Sequence, residues 1–229
     1  MRPHGDPGRG QATPGLCALV DTSDTVSGPA TQQMSSPPAP RALGDQTGEK
    51  RRLVRKRALL LAGVATVAFT VILEVLDPSR VSRGPNIISF EFAGTHARAA
   101  RIMVEWGAKG RAAARLSLWI DYGYMLSYGL FFTLAGFAVR DRARSCGWRR
   151  LAIIGTIVPF FALAAASFDA SENVALLLTL AGNGGSVAPP FAAVCSAIKF
   201  TLITIAILYA LCGLVLWLRA RRLQPSRIA

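Results

Sequence analysis

The stretch 159–182, "PFFALAAASFDASENVALLLTLAG", decides how the rest of the chain is read. Both of its ends are apolar, and its middle holds Asp169, Glu172 and Asn173. As a helix rising about 1.5 Å per residue it is roughly 36 Å long. That is enough for a bilayer hydrocarbon core of about 30 Å. Each ionised group at the centre of such a helix costs about 2.5–3.5 kcal/mol on insertion scales, so these groups should turn away from lipid and towards other helices. The small residues just before them, "ALAAAS", allow those helices to approach closely. The expected fold is therefore an all-α membrane bundle.

Four runs have spanning length. They are Ala58–Leu76, stopped by Asp77-Pro78; about Leu116–Val139; Leu151–Ala181; and about Phe191–Leu218. The membrane domain is read as 51–223 and the residues before it, 1–50, as a disordered cytoplasmic tail rich in Pro, Gly, Ser and Thr. Met34 is a possible alternative start. The tail is too long and polar for a signal peptide, and no small-residue cleavage site follows the first run, which should stay as an anchor. "RRLVRKR" (51–57), "RDRARSCGWRR" (140–150) and "RARR" (219–222) flank the runs, whereas "GNGGSVAPP" (182–190) carries no charge. The positive-inside rule then places both termini of this multi-pass chain in the cytoplasm. The basic residues dispersed through 77–115 run against this orientation.

The net charge of +13 over 229 residues invites a nucleic-acid reading. The arginines sit at the ends of apolar runs, which is membrane usage, and no nucleic-acid partner is expected. The cysteines are Cys17, Cys146, Cys195 and Cys212, with no C-x-x-C pair. Cys195 and Cys212 lie roughly 25 Å apart on one helix, too far to bond. His4 and His96 fall outside the apolar runs, which removes a histidine-based haem or metal site. No cofactor and no metal are expected.

The first loop contains "FEFAGTHARAARIMVEWGAKGRAAAR" (90–115), with Phe92, Ile102, Met103 and Trp106 set among arginines. This reads as an amphipathic helix over about 90–109, either lying at the outer surface with Trp106 near the headgroups or capping the bundle. Gly107 and Gly110 are expected to break it.

Five ionisable residues fall within the spans: Glu74, Asp121, Asp169, Glu172 and Lys199. With the termini inside, all five lie in the outer half, which points to one polar pocket opening outward. Asp169, Glu172 and Asn173 stand at i, i+3 and i+4, and Asp121, Tyr124 and Tyr128 at i, i+3 and i+7, so each set shares a helix face. Lys199 should bond Asp169 or Glu172, with the tyrosines and Asn173 meeting the remaining oxygens. Acid exceeds base within the spans. Either some carboxyls are protonated or a cation joins them, with Arg115 a candidate from within and an amine, a metal cation or a proton from outside.

The segments "ISFEFAGT" (88–95), "ARAARIMVEWGAKGRAAARLSLWIDYGYMLSYG" (97–129), "SFDASENVALL" (167–177) and "AIKF" (197–200) together resemble a family of small bacterial four-helix membrane proteins without assigned function. The resemblance covers about residues 55–220. It implies a recurring set at Glu91, Asp121, Asp169, Glu172, Asn173 and Lys199, and no activity. Glu91 joins the candidates on this ground only.

Three functions compete. The first is binding of a lipid headgroup or small cationic ligand. The second is a structural or accessory role beside a membrane-protein partner or a second copy, in which the buried network locks the helices. The third, an interfacial lipid-modifying enzyme, has no nucleophile motif, nucleotide loop or redox cysteine behind it.

Overall fold

Asp77-Pro78, Thr95, Gly147 and Gly182 stand at helix ends, where proline, glycine or a polar cap interrupts the regular turns. The computed structural model describes residues 42–222, with side chains for 49–219. Among the described residues the protein is all-helical: α1 Ala42–Val75, α2 Pro78–Ser82, α3 Ile87–Glu91, α4 His96–Ser145, α5 Arg149–Leu180 and α6 Ala188–Arg222. Four of these, α1, α4, α5 and α6, are long and apolar enough to cross a membrane.

The expected disordered tail lies outside the described residues over 1–41. Its last part, 42–50, is instead the start of α1. Good helix formers such as Glu49, Lys50, Arg51 and Arg52 carry the helix outward from the apolar run with no proline to stop it.

The long helices pack antiparallel in sequence order. Asp141 of α4 meets Arg55 of α1, Thr133 of α4 meets Pro159 of α5, and Leu151 of α5 meets Tyr209 of α6. One end of the bundle thus gathers the last turns of α1 and α5, the first turns of α4 and α6, and the short helices α2 and α3. We call this the capped end. The opposite end carries the arginines of 140–150.

The α5–α6 seam is close enough to need glycine. A Cβ on Gly155 would run into the Tyr209 hydroxyl, which donates to the Leu151 carbonyl at 3.1 Å. By contrast α1 packs along α4 and forms no comparable interface with α6. Leu60, Leu61, Val64, Val67 and Val71 are exposed on its outer face.

The capped end is organised by Asp77. Its carboxylate accepts from the Ser79 amide at 2.9 Å and from the Ile87 amide at 3.1 Å. It thereby caps α2, with Pro78 at the first helical position, and ties α3 to the same point. Asn86 caps α3 and Thr95 caps α4.

The helix expected over 90–109 is therefore two elements, because Gly94 and Thr95 separate α3 from α4. Trp106 is also corrected as a headgroup contact. It is buried, tilted against Phe90 with ring centroids 5.0 Å apart, and donates its indole N–H to the Pro85 carbonyl. The indole finds both its apolar and its polar partner inside the protein, so this segment caps the bundle. Of the two expected breaks, only Gly107 leaves helical geometry, at φ 59°, ψ −165°. Gly110 stays helical, where a Cβ would come 2.7 Å from Trp106 Cβ.

Candidate functional site

The apolar clusters leave a polar layer between them. Nearer the capped end, Phe90, Ile102, Trp106, Leu118, Leu176 and Leu180 form one cluster. Below it Met125, Tyr128 and Ala165 form another. The ionisable side chains of α5 and α6 lie where these two meet, because Asp169, Glu172 and Asn173 share the inward face of α5 and Lys199 faces them from α6.

Lys199 is the centre of the network. Its Nζ lies 2.8 Å from Asp169 Oδ1, 2.9 Å from Glu172 Oε2 and 3.5 Å from Glu91 Oε2. The Tyr128 hydroxyl donates to Asp169 Oδ2 at 2.8 Å. Asn173 Nδ2 donates to Asp121 Oδ2 at 2.7 Å and also approaches the Leu118 carbonyl at 3.4 Å. Asp169, Glu172, Asn173 and Lys199 are buried, Glu172 completely. Helices α4, α5 and α6 are thus joined through one set of charge-assisted hydrogen bonds.

Glu91 comes from outside the long helices. It sits at the end of α3, 8% exposed, and reaches the lysine from the capped end. Burial pushes its carboxyl above the ordinary value of 4.5, against the opposing pull of Lys199, with Asp169 adding to the rise. Its Oε2 accepts no hydrogen bond.

Two candidates do not join the network. Glu74 is exposed and pairs with Arg80 of α2. The turn after α1 brings Arg80 over it, so a carboxylate near a helix end is satisfied in the loop and not in the bundle. Arg115 is exposed and makes no ion pair among the described residues, so it does not balance the acids. Tyr124 stays close, packing edge-on against Tyr128 with centroids 5.2 Å apart.

A cavity of about 380 Å³ adjoins the network. Asp121, Tyr124, Tyr128, Asp169, Asn173, Lys199 and Glu91 line its inner part, and Glu74, Asp77 and Asn86 its rim. Thr70, Leu73, Phe200 and Ile203 complete the wall. Phe200 is the lining residue least visible in the sequence. Its ring stacks on Phe92 and lies 5.1 Å from Lys199 Nζ. Its only signal was its place beside a lysine in an apolar run.

Glu91, Asp121, Asp169 and Glu172 together face one ammonium. Asp121 has no cationic partner among the described ion pairs. Such an excess of buried carboxylate is sustained only when protons or a further cation offset it.

Comparisons with protein-family models, with curated proteins and with solved structures find no match for this chain. The resemblance described above rests on the residues quoted for it.

Proposed function

We propose that this chain is a multi-pass protein of the bacterial inner membrane whose intramembrane polar site binds a lipid headgroup or a small cationic ligand. One observation carries the reading: three carboxyls share one lysine, and a fourth, Asp121, has no ion pair, beside a cavity large enough to admit a further group. Cavities that hold small molecules run from about 300 to 1,000 Å³, with a few convergent polar groups on apolar walls. In the orientation proposed from the flanking arginines, both termini are cytoplasmic and the capped end faces outward.

The test is purification in mild detergent, followed by mass spectrometry of what accompanies the protein. A small molecule or lipid should accompany the wild type and be absent from an Asp169→Asn, Glu172→Gln variant that remains folded. A wild type carrying nothing, with a variant that no longer folds, would reject the binding role.

A second reading has its own observation. Both oxygens of Asp169 are used internally, one by Tyr128 and one by Lys199, so this residue ties α4, α5 and α6 together. In an accessory subunit of a membrane complex, or in a homo-oligomer, that lock would be the network's whole role.

A further inference from the structure

The polar cavity has one side on which Leu73, Phe200 and Ile203 stand among polar groups. Its wall takes Thr70, Leu73 and Glu74 from α1 and Lys199, Phe200 and Ile203 from α6, two helices that do not close against each other. At the capped end α2 packs on α4, and α3 reaches α4, α5 and α6. One route to the cavity passes the polar rim at the capped end, Glu74, Asp77 and Asn86, and a second passes between α1 and α6. Apolar side chains flank that second route: Ile88 and Phe200 are exposed beside the cavity, and Leu73 and Ile203 are half-buried.

The inner end of the cavity specifies a charge. Asp121 presents a carboxylate with one hydrogen bond, from Asn173, and no ion pair. Glu91, nine-tenths buried, lines the same cavity, and its Oε2 accepts no hydrogen bond although Lys199 Nζ stands 3.5 Å away. Tyr124, Tyr128 and Phe200 line the same cavity as these acids, and carboxylate together with aromatic surface is a setting in which an organic ammonium is held. Among the described residues no three His, Cys, Asp or Glu side chains converge as metal ligands do. That donor set suits a diffuse ammonium better than a compact divalent cation.

We propose that the cavity takes an ammonium group carried on an apolar body, with Asp121 and Glu91 as its counter-ions, and that it is loaded from the bilayer through the cleft between α1 and α6. This rests on the binding reading above and narrows it to amine-headgroup amphiphiles. The volume, about 380 Å³, accommodates a headgroup and leaves acyl chains in the cleft, against Leu73, Phe200 and Ile203.

The test compares phosphatidylethanolamine, phosphatidylglycerol and free ethanolamine as probes, using native mass spectrometry of the full chain in detergent. Phosphatidylethanolamine should be retained at least about tenfold more than phosphatidylglycerol, the scale of one charge-assisted contact. Asp121→Asn keeps the acceptor for Asn173 and removes the charge, so it should lose that preference while its helicity and melting temperature stay near wild type. Ile203→Trp, which fills the cleft and spares the acids, should lower lipid retention and leave any binding of ethanolamine unchanged. Retention of ethanolamine without the lipid, or lipid binding indifferent to Ile203→Trp, would overturn lateral loading while the cationic site stands. Equal retention of both lipids in wild type and Asp121→Asn would overturn the ammonium assignment. No binding of any probe, together with purified wild type that carries nothing, would overturn the binding reading itself.

Discussion

Lys199 shows how one residue can hold a network without balancing it. Its ammonium touches three carboxyls, and removing it leaves them buried with no counter-charge. Breaking a buried ion pair from one side typically costs about 3–5 kcal/mol, while replacing both partners with neutral groups costs far less. Lys199→Met should therefore lower stability by roughly that amount. Adding Asp169→Asn should recover part of it, read as the melting temperature in a fixed detergent and as expression level. Additive losses would show that the two side chains are not coupled and would remove the lock reading. Asp121 differs, because no cation pairs with it among the described residues, and that asymmetry within one layer separates it from Asp169, whose oxygens are both used internally.

Among the elements, α3 and the kink in α4 do the positioning. α3 is only five residues, too short to be stable alone. It is held by Asp77, by the Asn86 cap and by the packing of Phe90 on Trp106, and it delivers Glu91 to Lys199. The kink at Gly107 lets the first turns of α4 lie over the bundle while the rest crosses it. A Cβ there would meet nothing within 4 Å, so its only obstacle is the positive φ. Gly107→Ala is expected to destabilise by about 1–3 kcal/mol through backbone strain alone. Limited proteolysis near the kink should accelerate, and detergent-resistant helicity of the remaining bundle should persist. An unchanged melting temperature and cleavage pattern would show that the kink stores no such strain.

For the molecule as a whole, basic residues are denser at one end of the bundle axis. They cluster at the end opposite the cap, where Arg55 and Arg140 pair with Asp141, while the capped end holds the acids of the site together with the dispersed Arg80, Arg83, Arg98, Arg101, Lys109, Arg111 and Arg115. The proposed orientation follows from that difference. Alkaline phosphatase inserted at Ser186, in the uncharged loop, should be active when expressed in a bacterium, and the same enzyme fused after Ala229 should be inactive. The reverse pattern would turn the molecule over, with the cavity at the cytoplasmic side. The outer face of α1 is apolar and unpacked against the rest of the described chain in either orientation.

What the chain's order of residues made legible was everything governed by local period and by solvent. Apolar run length marked the four helices long and apolar enough to cross a membrane. Spacing of i, i+3 and i+4 put Asp169, Glu172 and Asn173 on one face, because helical phase depends only on neighbours along the chain. Other features depended on how segments far apart in sequence come to rest against one another. Glu74 left the network because the turn after α1 swings Arg80 onto it, and Trp106 turned inward because Pro85 and Phe90 offered it partners. Glu91 was legible only through the family resemblance, and neither its contact with Lys199, nor Phe200 in the cavity wall, nor the unclosed side between α1 and α6 could be read from local pattern, since each arises where packing meets or fails to meet. A hydropathy pattern says which face of a helix avoids water. Which neighbour fills that face, and which is left open, is set by the volumes and hydrogen-bond partners that meet there.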